Sequence, residues 1–203
     1  MVKAAWILGV GMVLVVAAGG CRDGERLGPP LVVKAQDEAA HRRLTHYWVK
    51  QIRALGEDGD WLVVRGYKDA DHFIVMMTNT PLSHAALLDV EGDAVIESLR
   101  HGVEVNSLEH FLDHAHRVLL IRPMWWRPDR GRAAVAEAYA LVGAPYDFAG
   151  LVGLSSAARF YCSELAFHVY RAYQRPQDHI PKVIEPGQMY LWGDVIWDSR
   201  PRD

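Results

Sequence analysis

"SHAALLDVEGDAVIESL", Ser83–Leu99, is the stretch on which the fold turns. Two apolar runs, AALL and AVI, flank Glu91-Gly92-Asp93, whose glycine and acids suit a tight reversal, so the stretch reads as two antiparallel strands. Each strand carries one polar group in a telling place. His84 opens the first, and Glu97 is a lone acid among apolar neighbours in the second. An acid so placed needs a partner. Pairing through the turn lets Glu97 lie across from His84, where a carboxylate fixes the tautomer of an imidazole.

Working outward, "GDWLVVRGY" (59–67) opens a strand-rich section, and "FIVMMT" (73–78) and "RVLLIRP" (117–123) read as further strands. Around His101, "RHGVE" reads as a turn, and "NSLEHFLDHAH" (106–116) as a short helix capped by Asn106 or Ser107. Over 36–55 the residues Ala40, Leu44, Trp48, Ile52 and Leu55 recur at helical spacing, stopped by Gly56. A second helix starts near Pro128, with Ala133, Ala136, Ala140 and Leu141 on one face and Gly143 past its end. "APYDFAGLVGL" (144–154) reads as a loop, and the tail gives a helical turn at Pro186 and a last short strand. Helix, strands, helix, helix predicts an α+β domain with a mainly antiparallel sheet.

The chain has 203 residues, half of them apolar, enough for one domain with a real core over 36–203. Its net charge of -3 is scattered, which leaves no basic footprint for nucleic acid and no polybasic arm. The first residues differ in kind. Lys3, an apolar run from Ala4 to Ala18, and Gly19-Gly20-Cys21 have the layout of a secretory signal, and the run is shorter than the ~20 residues of a comfortable membrane span. A cysteine directly after the small residues resembles a bacterial lipoprotein signal, with 1–20 removed, Cys21 lipidated, and 21–35, rich in Gly, Pro and charge, as a tether. An uncleaved anchor is the competing reading. The lipoprotein reading puts the protein on the periplasmic face of a membrane, the outer one in a Gram-negative host, because Arg22 rather than Asp follows the cysteine.

Cys162 then has no partner in the chain, which leaves either a buried small hydrophobe or a working thiol. "RFYCSELAFHVYR" (159–171) sets it at the first turn of an amphipathic helix whose apolar face is Leu165, Ala166, Val169 and Ala172 or Tyr173. Unpaired N–H groups and the dipole there favour the thiolate and can face an oxyanion. A nucleophilic thiol also needs an imidazole. His168 lies roughly 240° round the helix from Cys162 and faces away. His101 and His72 sit in charged or turn-like surroundings, and His84 has the acid Glu97 to orient it.

"GDWL" (59–62), "SHAALL" around His84, "VIES" around Glu97, "SLEHFL" (107–112), "GAPYDF" (143–148) and "FYCSEL" (160–165), in this order over about 59–192, resemble the permuted NlpC/P60 papain-like proteins, specifically the YiiX/YebB-like branch. The histidine and acid precede the cysteine, which is the permuted order. The resemblance implies a papain-like α+β fold, with the cysteine helix packed on an antiparallel sheet or half-barrel. It implies Cys162 as nucleophile, His84 as base and later acid, and Glu97 as orienter; Tyr161 and Asp147 match family positions near the site and read as structural, with lining of the site the alternative for them and for Ser83. Alanines in "SHAALL" and Ser98 in "VIES" depart from the usual family residues without removing a reacting group.

The function so implied is a cysteine hydrolase or acyltransferase working through an acyl-enzyme without a cofactor. Its substrate is a cell-wall peptide or amide, or an acyl lipid, and its membrane attachment is the Cys21 lipid. A binding lipoprotein of the same fold is the second class, disfavoured by the intact Cys, His and Glu set. A metal site at His110, Asp113, His114 and His116 is the third, and a wet helix end explains that cluster more simply. Trp125-Trp126 is either a lip for substrate or ordinary packing.

Overall fold

A computed structural model describes residues 31–202, apart from 35 and 155–157. The expected signal, the expected lipidation at Cys21 and most of the expected tether fall outside the described residues. The body is a six-stranded antiparallel sheet in the order β4-β3-β2-β1-β5-β6. Its strands are β1 (Trp61–Gly66), β2 (His84–Asp89), β3 (Ala94–Leu99), β4 (Gly102–Ser107), β5 (Ala115–Pro123) and β6 (Gly193–Asp198). The helices are α1 (Glu38–Leu55), α2 (Asp69–Thr78), α3 (Leu108–Asp113), α4 (Pro128–Ala140) and α5 (Cys162–His168).

Both faces of the sheet are covered, which is why its central strands are apolar throughout instead of alternating. Every residue of β1 is buried. Trp61, Val63, Ala85, Leu87 and Ile96 face a core completed by α4, α5 and a 3-10 segment at Pro186–Trp192. Leu62, Val64, Ala86, Leu88 and Val95 face α1 and α3 on the other side. The hairpin read from the sequence lies between the edge strand β4 and the central strand β1.

Four local readings need correction. "FIVMMT" is helix, not strand: the acids before it start α2, with the Asp71 carboxylate accepting the Lys68 N–H at 3.0 Å. Residues 102–107 are a strand, not a turn. Val103 enters the core while Glu104 and Asn106 share one face, an alternation too short to stand out. Gly102 makes the reversal into β4 with φ +120°, and a Cβ there would sit 2.5 Å from the Ala144 carbonyl.

In α4 the buried face is Gly131, Ala134, Val135 and Ala138, while Ala133, Ala136 and Ala140 are exposed, because five alanines give no apolar contrast to orient the helix. In α1 the buried positions are His41, Thr45, Trp48, Val49 and Ile52, with Leu55 exposed. Two polar groups are tolerated inside because His41 Nε2 bonds the Asp113 carbonyl (2.9 Å) and Thr45 Oγ1 accepts from buried Arg202 (3.0 Å), whose guanidinium lies 4.0 Å over the Trp48 ring. Trp125 and Trp126 pack: Trp125 is in the core with Nε1 donating to Asp178, and Trp126 Nε1 donates to the Asp58 carbonyl.

Asp60, fully buried where the chain enters β1, is gripped by Arg122 through Nε (3.0 Å) and a terminal nitrogen (2.8 Å), and accepts the Glu57 N–H. Burial pushes its carboxyl above the usual range despite the guanidinium. Arg122→Ala strands this charge, and we expect a loss of about 3–5 kcal/mol at neutral pH. The raised carboxyl fixes the sign. Loss of the guanidinium raises the carboxyl further, so the deficit is fully present above the variant's folded pKa and shrinks as pH falls from there towards the wild-type folded pKa. Urea unfolding of both proteins at two pH values checks this, and a deficit that grows in acid contradicts it.

Candidate active site

The site forms where β2 begins. Ser83, just before it, is pinned by its N–H to the Val64 carbonyl (2.8 Å) and by its hydroxyl to Asp71 (2.7 Å), so the chain enters the strand at a fixed angle with His84 first. In the hairpin register Ala86, not His84, stands opposite Glu97. His84 is two residues along on the same face, a diagonal neighbour that long side chains reach. Its Nε2 lies 2.5 Å from Glu97 Oε2, which leaves Nδ1 to face Cys162. The expectation that Glu97 lies across from His84 is therefore corrected to a diagonal pair.

Glu97 has a second partner that the sequence did not reveal. Asn106 on β4 donates Nδ2 to Glu97 Oε1 at 2.9 Å and to Glu104 Oε1 at 3.1 Å. Ser107, not Asn106, caps α3, its hydroxyl accepting the His110 N–H. Asn106 was legible only through the V-E-V-N alternation of the missed strand.

Cys162 comes from the other side, at the first residue of α5. Tyr161 before it is extended, and Glu164 accepts the Tyr161 N–H at 3.3 Å, closing the first turn. Contacts from three directions hold the helix. Phe167 stacks on Trp61 at 4.8 Å, Trp61 Nε1 donates to the Ala166 carbonyl, and Ser163 Oγ donates to the Ile184 carbonyl. Ser98, the residue that departs from the family in "VIES", donates its hydroxyl to the Phe160 carbonyl at 2.6 Å and ties the approach to the cysteine onto the strand bearing Glu97.

These contacts set the electrostatics. Burial works against charge on the imidazole, yet the neighbouring thiol and the Glu97 carboxylate outweigh it and hold His84 well above its ordinary value. Burial also works against the thiolate, but His84 and the backbone N–H groups of Ala85 and Ser163 lower Cys162 below 9.0. Glu97, despite burial, stays below the usual carboxylate range through His84 and Asn106. The arrangement favours a thiolate–imidazolium pair, with the carboxylate behind the ring.

The three groups open on a cleft of about 360 Å³ whose walls are largely apolar, with Phe73, Ile74, Phe111, Tyr146, Phe148 and Leu151 among them. Ser83 lines it. Tyr161 and Asp147 do not: the Tyr161 hydroxyl accepts the Ile184 N–H (2.9 Å), and Asp147 accepts the Gly150 N–H (2.9 Å). Both bury inward to brace the loops beside α5, and burial pushes the Tyr161 phenol up to about 12. The histidines of 106–116 do not converge with Asp113. It pairs with Lys34 and His41, His116 meets the Tyr67 ring, and His114 Nδ1 is bonded to the His110 carbonyl. Among the described residues no group of three or more such side chains is placed to hold a metal.

Residues 58–190 match the family described as permuted papain-like amidase enzyme, YaeF/YiiX, C92 family. Among solved structures, the crystal structure of metalloprotein yiiX from Escherichia coli O157:H7 is similar at 22% identity and a TM-score of 0.51, over 59% of this chain and 67% of that one. At that identity the likeness is one of fold. No curated protein matches the chain.

A lowered thiol beside a raised imidazole has a measurable consequence. At neutral pH the wild-type protein should react with iodoacetamide at Cys162 about tenfold or more faster than His84→Ala, in which burial is opposed only by the Ala85 and Ser163 N–H groups and the thiol rises. Glu97→Gln removes one support of the imidazolium and should move the reactive limb to higher pH by a smaller step. Superimposable rate–pH profiles for all three proteins contradict the pairing.

Proposed function

The chain belongs to the permuted papain-like amidase family, YaeF/YiiX, and from that premise we propose that it is a cysteine hydrolase cleaving an amide bond through an acyl-enzyme. One observation carries the reading: a single imidazole stands between a lowered thiol and a carboxylate at the wall of a cleft. The Cys162 thiolate attacks the carbonyl carbon and forms the C–S bond, while negative charge develops on the carbonyl oxygen. Backbone N–H groups beside the sulfur stabilise that charge. As the C–N bond breaks, His84 gives its proton to the departing amine, leaving a thioester and a neutral imidazole. His84 then takes a proton from water, hydroxide adds to the thioester, and the acid leaves as the thiolate re-forms. Glu97 holds the ring and stays ionised throughout, and Asn106 holds Glu97.

The proposed substrate is an acylated amine of the cell envelope, either a cell-wall peptide or amide, or a lipid. The largely apolar wall area favours the second, while Lys68, Arg100, Glu104 and Asn106 in the same lining offer polar partners to the first. Transfer of the acyl group to an amine or alcohol uses the same thioester. The proposed location is the periplasmic face of a membrane, through lipid on Cys21, which the sequence of residues 3–21 supports.

Hydrolysis of N-acyl amides and of wall fragments should fall by about a thousandfold or more in Cys162→Ala and in His84→Ala, and by a lesser factor in Glu97→Gln. Asn106→Leu should lower kcat and narrow the pH range while leaving the fold intact. Full activity in Cys162→Ala refutes the reading, and thioester trapping by mass spectrometry tests the intermediate directly.

A further inference from the structure

Within α2 only Val75 is buried, while Phe73, Met76 and Met77 are 53%, 66% and 66% exposed. Positions three and four apart share a helix face, so these three form one apolar patch. Across the cleft Phe148 and Leu154 are also exposed, and the Leu154 N–H bonds the Ala149 carbonyl, which keeps it beside Phe148. Phe73 and Phe148 both line the opening. Single exposed apolar residues need no explanation, but two aromatic rings lining one cleft, each with exposed apolar neighbours, do.

The chain itself says what covers them. Leu31–Lys34 enter the body alongside this helix, where His72 of α2 donates to the Val32 carbonyl at 3.1 Å. Upstream, residues 19–30 separate that point from the apolar run Ala4–Ala18, and fully extended they reach at most about 40 Å. An anchor at either the run or Cys21 holds α2 close to its membrane. Lys68 and Arg100 line the same cleft, beside Asp71 and Glu104, and can meet anionic headgroups.

We propose that the mouth of the cleft is a bilayer-docking surface, with α2 and the Phe148 loop seated in the interfacial layer, so that an acyl chain passes from lipid into the cleft without crossing water. The substrate half of this rests on the hydrolase reading above; the docking half does not.

The test uses the full chain in phosphatidylethanolamine–phosphatidylglycerol vesicles with brominated acyl chains, comparing Met77→Trp with Val195→Trp, which lies on β6 at the far edge of the sheet. Docking predicts added emission at position 77 that is blue-shifted and quenched to about half or less, with the position 195 reporter unquenched. Equal quenching at both positions, or none at 77, overturns docking. So does a blue shift without quenching, which marks cover by the chain's own apolar run or by a second copy. The double variant Met76→Asp/Met77→Asp should keep the iodoacetamide reactivity of Cys162 and lose about tenfold or more in hydrolysis of a vesicle-borne acyl amide. Wild-type hydrolysis by that variant, or an inert Cys162 beside intact quenching, overturns the substrate half alone.

Discussion

An imidazole buried between a thiol and a carboxylate is costly unless each charge meets its opposite at hydrogen-bond distance, and that requirement organises this molecule. His84 satisfies it through the pairing of two adjacent strands, so the acid and base are fixed by sheet register. A slip of one residue in that pairing would turn Glu97 to the other face of the sheet, towards α4 and α5, and leave the ring without its carboxylate. The strand order builds the same precision into the neighbours. With β1 at its centre and β4 at its edge, the sheet is rigid where the base sits and open where a ligand must approach.

Much of this was legible in the sequence, for physical reasons that differ from element to element. The hairpin was legible because apolar runs flanking a Glu-Gly-Asp turn have few other uses, and α5 because aromatic and aliphatic residues come after Cys162 at helical spacing. His84, Glu97 and Cys162 stood out as polar groups in apolar surroundings. The parts that stayed hidden depended on partners distant in sequence. Nothing near Asn106 announces that it serves Glu97, and Ser98 looked like a neutral replacement until its hydroxyl met the Phe160 carbonyl. The helix at α2 was hidden by Phe73, Ile74, Val75 and Thr78, whose strand preference its first-turn acids override. Tyr161 and Asp147 lie next to the site in sequence yet point away from it, a distinction that spacing alone does not carry.

The cleft and the exposed helix beside it belong to one design. The faces of the central sheet are closed by α1, α3, α4 and α5, which consume the apolar residues that sheet geometry supplies. α2 sits outside that arrangement, with one residue committed to the core and its large apolar side chains spent on the rim of the opening. Where a soluble surface helix would carry charge, this one carries phenylalanine and methionine. The sheet thus provides a dry, fixed base for chemistry while the rim provides contact.

The bond from Ser98 to the Phe160 carbonyl joins the strand carrying the acid to the segment that delivers the thiol. Together with the Glu97–Asn106 and Glu97–His84 bonds, it links β2, β3, β4 and the start of α5 into a single hydrogen-bonded patch. Elements tied in this way open together or not at all, so their amide protons should exchange with solvent at a common rate. Damage to the patch would then be read as a loss of the whole constellation, in the manner of a small cooperative unit within the larger fold.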